Sequence, residues 1–312
     1  MVYSPIWGSR YLTILFKYAC QTARTLKILF SERPRTVFVM TPPVIACLPV
    51  WIYAKWAKAQ YMIDAHTAAF VTPPWNKLLF LHGFFSRGAK VTTVTNSYLQ
   101  SFVHRWRAKS LILSDVPVYL AGPAPRCERV EPHFRMTFVS SFTPDEPLGN
   151  FLLAAAKLPQ FQFFITGNYK DADRNLVLSK SDNVHFTGYL SDAAYVELLR
   201  SSDAVISLTT EDHTMQRGAY EAVYLGRPVI TSGFGILREA FPRGTVHVDN
   251  TPDAIVGGIL RMQENLTQYV SEVEDLKNEK LERWKKLESE IGELLRADDV
   301  GGNDVVADRV IS

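Results

Sequence analysis

The sequence predicts an α/β protein of two lobes, each built on a parallel sheet, with a long amphipathic helix towards its C-terminal end. Three observations lead there. Ten short apolar runs rich in β-branched residues alternate with stretches of helical periodicity, the pattern of strands buried in parallel sheets. A linker containing Pro and Gly, Ala121–Pro132, separates four of those runs from the other six. The charge also changes sign there. Residues 1–135 hold 17 Lys and Arg against 5 Asp and Glu, a balance of +12, while residues 136–312 hold 17 against 27, a balance of −10.

The elements follow in order. Residues 10–30 read as a helix with Arg10, Lys17, Arg24 and Lys27 along one side and Leu, Ile and Phe on the other. That face suits either packing on a sheet or contact with an anionic membrane. Strands are expected at 36–40, 60–63, 90–95 and 110–113. The uncharged run Thr36–Ala54 has the length of a membrane span. Pro42, Pro43 and Pro49 interrupt it, so a strand, a turn at Thr41-Pro42-Pro43 and a helix fit better. The second lobe supplies strands at 136–140, 162–166, 184–187, 204–208, 228–231 and 246–248. From Asn265 a helix dense in Glu and Lys carries Tyr269, Val273, Leu276, Trp284, Leu287, Ile291 and Leu294, with Lys280 as a polar gap in its seam. It suits packing across a lobe or pairing with a second copy. These boundaries give an N-terminal lobe at 1–125, a C-terminal lobe at 133–264, the charged helix at 265–297 and a disordered tail at 298–312.

Composition narrows the function. With 312 residues, 47% of them hydrophobic and 21% charged, the chain can bury two cores and is no disordered or collagen-like protein. Cys20, Cys47 and Cys127 fit neither a zinc pattern nor a disulfide framework, which points to a reducing, cytoplasmic setting, including the inner face of the cell membrane. The basic half suits an anionic partner. No nucleic-acid-binding motif accompanies it, so nucleic acid is not expected. The chain has no Gly-x-Ser-x-Gly elbow, Walker loop or Gly-x-Gly-x-x-Gly fingerprint, nor a carboxylate pair with hydrolase logic.

The richest stretch is Ser207–Ser232. A strand ends near Leu208, a polar loop follows, and a helix runs from about Met215 to Gly226, its terminating glycine. Amides at that helix start, around Thr214–Gly218, form an anion site at the carboxyl end of a strand. Gly218 leaves room for backbone to approach a ligand, and Glu221 offers a carboxylate to two hydroxyls of a ribose. A plain strand–helix–strand unit with a solvent-facing Glu fits the same residues.

The stretch resembles the donor region of family-4 glycosyltransferases of the GT-B fold, in which a helix carries Glu-Ala, then a short apolar turn, Gly-x-Pro-Val-Ile and Ser. Phe138–Pro147, Phe164–Asn168, Asn183–Tyr189, Leu237–Phe241 and Gly244–Asn250 continue the likeness in the same order over most of 136–265. It implies two Rossmann-like lobes. The strand and Gly-containing loop that normally open the first are not read in this sequence, so the expectation is either a naturally reduced first lobe or a truncated or mis-started reading frame. It also implies that Glu221 binds the ribose of a nucleotide-sugar in the second lobe's cleft facing the first. The turn holding Thr187, Gly188 and Tyr189 would lie by the base, with Gly167 at a neighbouring strand end. Thr214, Arg217 and Gly218 would lie at the diphosphate. Two positions depart from the family. His213 stands where a second Glu usually contacts the transferred sugar. Thr143, Asp145 and Glu146 stand where Arg and Lys usually meet the diphosphate.

In the first lobe Asp64 and His66 end a strand, where open parallel sheets bind ligands. The resemblance makes His66 the group facing the bond that breaks, with Asp64 orienting its ring or capping the turn. It assigns Thr41, Pro42 and Asn96 to the acceptor side, although each fits an ordinary turn. The function expected is transfer of a sugar from a nucleotide-sugar to a lipid-linked or other glycan acceptor, as in polysaccharide biosynthesis. The transfer would retain configuration and need neither metal nor cofactor, the nucleotide-sugar being a substrate. The alternative is a non-catalytic nucleotide-sugar-binding or scaffold subunit whose partner supplies the missing elements. A homodimer, a partner subunit and a peripheral contact with an anionic membrane complete the expected associations.

Overall fold

The computed structural model describes residues 11–114, 116–117 and 133–296, which fall into two compact units, 11–114 with 289–296, and 116–288. Arg10, the linker expected at 121–132 and the tail expected at 298–312 lie outside the described residues.

The first unit holds four parallel strands, β1 (Thr36–Thr41), β2 (Gln60–Ala65), β3 (Thr92–Val94) and β4 (Ser110–Ile112), in the order β1-β2-β3-β4. All four expected runs are strands. Each successive strand is added on the same side, and right-handed crossovers then place the connecting helices on one face. The core shows it. Val39, Tyr61, Ile63, Ala65 and Val94 pack in one cluster with residues of α1 (Tyr11–Glu32), α2 (Cys47–Ala57), α4 (Leu79–Gly88) and α5 (Ser97–Arg105). A single turn of helix, α3 (Ala68–Val71), adds Ala69 and Phe70 to it. Phe38 and Met40, on the opposite side of edge strand β1, are about 60% exposed. The expectation of strands buried on both faces therefore fails at β1, because the sheet order leaves the second face of its edge without a helix.

Helix α1 resolves the two readings of residues 10–30 in part. Leu29 is buried in the core cluster, Leu26 and Phe30 pack against it, and Phe30 meets the rings of Tyr53 and Trp56 edge-on at 5.4 and 4.8 Å. That part of the apolar stripe is therefore spent inside the protein. Arg24 and Lys27 remain exposed, as do Phe16 and Ile28. No helix among the described residues is long and apolar enough to cross a membrane.

The second unit holds six parallel strands, β5 (Phe134–Phe138), β6 (Phe161–Thr166), β7 (Val184–Gly188), β8 (Ala204–Ser207), β9 (Val229–Ser232) and β10 (Thr245–Val248), in the order β10-β9-β8-β5-β6-β7. All six expected runs are present. Each face has its own core. On one, α6 (Leu148–Ala156) and α11 (Pro252–Glu264) cover Met136, Phe138, Phe163, Ile165 and Ile206. The ring of Phe138 stacks on Phe151 at 4.6 Å, and burying one such ring contributes roughly 2–3 kcal/mol. On the other face Val205 and Val229 pack with α8 (Asp192–Ser201), α9 (Arg217–Tyr224), α10 (Gly235–Ala240) and α12 (Leu266–Arg296). A short helix, α7 (Arg174–Leu178), precedes β7.

The long C-terminal helix is present, and Val273 and Leu276 bury its seam against the second unit. Lys280 is no gap in that seam. Its ammonium lies 4.8 Å from the centroid of the Tyr220 ring and 5.4 Å from that of Phe241, a cation–π contact that keeps the seam closed at a charged position.

Candidate functional site

The strand order of the second unit reverses between β5 and β8: the chain steps from β5 to β6 and β7 on one side, and from β8 to β9 and β10 on the other. In open parallel sheets the carboxyl ends of two such strands are where ligands bind. Most of the sequence-predicted donor residues lie on the loops and helix there, or on the loops after the neighbouring strands.

Helix α9 begins at Arg217, two residues later than the sequence suggests, and no side chain caps its N-terminus. It ends as expected, with Gly226 left-handed at φ +69°. The reason for Gly218 differs from the expected one. A Cβ there would stand 2.7 Å from Cγ1 of Val139 and 3.2 Å from Oγ of Ser207, so its missing side chain lets α9 pack on the ends of β5 and β8. Glu221 is not solvent-facing. Only 9% exposed, it accepts a hydrogen bond from the Tyr195 phenol at 2.5 Å and one from Nε of Arg217 at 2.9 Å. Burial, and then the adjacent carboxylate, push the Tyr195 phenol far above its ordinary range, so Tyr195 donates throughout the physiological range. Two oxygens offer about four acceptor positions. Tyr195 and Arg217 take two, and two remain for hydroxyl donors.

His213 sits in the loop between β8 and α9 with φ +63°, its amide donating to Oδ1 of Asp212 at 2.7 Å and its Nδ1 3.6 Å from the same oxygen. Thr214 is half-buried beside it. Gly167 (φ +96°) and Gly188 (φ +73°) turn the chain after β6 and at the end of β7, and Tyr189 is 87% exposed. A Cβ on Gly167 would fall 2.3 Å from the carbonyl oxygen of Ser140, so only glycine fits that crossing.

The first unit brings Asp64 and His66 together. Oδ2 of Asp64 lies 3.2 Å from Nε2 of His66, and the Thr93 hydroxyl donates to its Oδ1 at 3.0 Å. Burial alone would raise the Asp64 carboxyl. The hydrogen bonds and charge of His66 and the bond from Thr93 outweigh it and hold the carboxyl below its usual range. The hydrogen bond to Asp64 raises the His66 imidazole against an opposing effect of burial. The His66 amide donates to the carbonyl of Thr41 at 3.0 Å, which sets the Thr41-Pro42 turn beside the dyad. Thr41 itself is fully buried, with its hydroxyl 3.0 Å from Nε2 of His82, a histidine whose burial pushes it down to about 4. Asn96 caps α5 by accepting from the Leu99 amide at 2.9 Å. Thr41 and Asn96 thus hold turns in place with their polar groups.

Residues 133–265 match the family model Glycosyl transferases group 1. The second unit therefore carries a glycosyltransferase group 1 domain, and the chain as a whole shares its fold with solved structures of the GT-B kind. Among solved structures, HepE of Anabaena in complex with UDP is 16% identical over 89% of this chain and 82% of its own, with a TM-score of 0.72. Trehalose-6-phosphate synthase, studied for glycosyl transfer with retention, is 12% identical over 93% of this chain and 80% of its own, with a TM-score of 0.68. A glycosyltransferase of Rickettsia africae is 15% identical over 91% and 83%, with a TM-score of 0.63. At such identities these likenesses carry the fold. No curated protein matches the sequence.

Sequence reasoning missed Tyr195, which lies 26 positions before Glu221, in another helix, and reaches it only through the folded sheet. The dyad of the first unit yields a direct test. Replacing Asp64 with Asn removes the main cause that raises His66, so an NMR titration should show the His66 pKa falling. The stabilisation from the pair should be complete between about pH 3.8, the ordinary Asp value, and about 6.5, the ordinary His value. It should fade below that window as Asp64 protonates through its lowered pKa, and above it as His66 loses its proton through its raised one. An unmoved His66 titration in Asp64→Asn would contradict the assignment.

Proposed function

We propose that the enzyme moves a sugar from a uridine diphosphate sugar to an acceptor held at an anionic membrane surface, with retention of configuration. The observation that supports the donor assignment most is Glu221: a buried carboxylate beside a strand-order reversal, with two acceptor positions open once Tyr195 and Arg217 are served. The HepE structure contains UDP, which favours uridine as the base. The uncapped amides at the start of α9 and the exposed guanidinium of Arg217 supply positive potential for the diphosphate. In the proposed step the acceptor hydroxyl attacks the anomeric carbon on the face from which the diphosphate departs. The bond from that carbon to phosphate oxygen breaks, the bond to acceptor oxygen forms, and the departing oxygen takes the acceptor proton. This chemistry requires no metal and no second carboxylate. His66, oriented by Asp64 and Thr93, is the first unit's candidate for contact with the transferred sugar.

Charge and exposure support the acceptor assignment. The described part of the first unit has few acidic residues, and its exposed Lys and Arg accompany large apolar side chains that are also exposed: Phe16 and Ile28 on α1, Trp56 on α2, Phe80 and Phe84 on α4. Such a surface gains from both headgroup charge and partial insertion of aromatic rings. A lipid-linked phosphate acceptor would be drawn to the same lobe.

Two measurements check these assignments. Calorimetry should show Glu221→Gln losing on the order of 2–3 kcal/mol of affinity for UDP, since a charged acceptor of two hydroxyls is replaced by a neutral one. Undiminished affinity would remove Glu221 from the ribose. Sedimentation with vesicles should show binding that rises with anionic lipid and falls with salt. Replacing Lys17, Arg24 and Lys27 with Gln should weaken it on the order of a hundredfold, at about 1 kcal/mol per basic residue. Protein that stays in the supernatant at low salt would point to a soluble acceptor.

A further inference from the structure

Glu146 lies in the loop that leaves β5 at the strand-order reversal, and the loop's own donors surround its carboxylate. The Ser141 amide donates to Oε1 at 2.9 Å and the Phe142 amide to Oε2 at 3.0 Å. The Ser141 hydroxyl donates to Oε1 at 2.9 Å, and the Ser140 hydroxyl donates to Oε2. Phe142 takes a left-handed conformation, φ +58°, and its amide converges with that of Ser141 on one point. Successive amides arranged in this way form an anion-binding concavity. The donors are two amides and two hydroxyls, with no cation among them, a set that serves a phosphate oxygen as well as a carboxylate.

The concavity is braced from both sides. The loop after β6 closes on it at Gly167, where a Cβ would meet Ser140 oxygen at 2.3 Å and the Phe142 ring at 3.1 Å. The first turn of α9 closes on Val139 at Gly218. Ser140 is only 6% exposed. The loop also has anchors that do not involve the Glu146 side chain. Asp145 accepts from the Thr209 hydroxyl at 2.8 Å, and its carbonyl accepts from the Thr210 amide at 2.6 Å and the Thr210 hydroxyl at 3.0 Å. Pro147 and Leu148 are buried beyond it. The Glu146 side chain can therefore leave without unravelling the loop that presents the donors.

We propose that Ser140, Ser141 and Phe142 form a phosphate-binding cradle that Glu146 occupies as a displaceable internal ligand, in competition with the diphosphate of the donor. This rests on the donor site proposed above and adds its regulation: each diphosphate that enters displaces a chain-borne carboxylate, and each that leaves is replaced by one. The competition lowers affinity for donor and for released nucleoside diphosphate alike, which favours turnover over product retention.

Calorimetry on the full chain and on Glu146→Ala and Glu146→Gln, with UDP, uridine and inorganic pyrophosphate, tests this. Glu146→Ala should bind UDP and pyrophosphate on the order of tenfold more tightly than the parent, with Glu146→Gln between them, because a charge-assisted competitor has been removed. Uridine, which lacks the phosphates, should bind all three proteins alike. UDP and pyrophosphate affinities unchanged or lowered in both variants would overturn the proposal. So would failure of both variants to fold, since Glu146 would then be a structural brace. If UDP binds none of the proteins while pyrophosphate binds Glu146→Ala more tightly than the parent, the cradle stands and the nucleotide assignment falls.

Discussion

Two adjacent parallel strands, β5 and β8, hand the chain to opposite sides of the same sheet, and the loops that follow them are tied together where Asp145 accepts from Thr209 and Thr210. Most of the features assigned to the donor lie at that reversal or after the neighbouring strands. Backbone at the open ends has donors that no strand pairs, and the two ends treat them differently. Glu146 takes the amides after β5, and the start of α9 stays uncapped after β8. Glycines at 167 and 218 allow the flanking segments to approach within contact of Ser140 and Val139, which fixes the shape of the opening.

A buried carboxylate beside that opening is costly unless its oxygens are served. Tyr195 and Arg217 serve Glu221, each on a different oxygen, and so keep it aimed. Neither partner takes both lone pairs of an oxygen, so the carboxylate is held and still able to accept. In the first unit Thr93 and Asp64 play the comparable part for His66, holding one ring nitrogen while the side chain stays about half exposed.

The fold was legible because its strands are short, apolar and β-branched, so all ten runs could be seen without knowing their order. Gly226 marked the end of α9 because a left-handed residue is required there, and Glu221 was found through the pattern around it. What stayed hidden depends on contacts between distant positions. Sheet order is a tertiary property, and it makes the strand carrying the exposed Phe38 and Met40 an edge strand. Tyr195 serves Glu221 across helices, and Lys280 reads as a polar interruption until its aromatic neighbours are placed. Gly218 looked like room for a ligand and is room for Val139, since spacing along a helix does not reveal what the missing side chain would touch. Glu146 read as an acidic departure where cations were expected. Its meaning appears only when the Ser141 and Phe142 amides are seen to converge on it.

The central claim is that the carboxyl-end loops of the second sheet bind a nucleoside diphosphate. Hydrogen–deuterium exchange on the full chain, with and without saturating UDP, tests it most directly, because it reports on every backbone amide in one measurement. The account predicts slowed exchange in residues 139–142, 166–169, 187–190 and 208–221. Protection confined to the first unit, with those four segments unchanged, would contradict it.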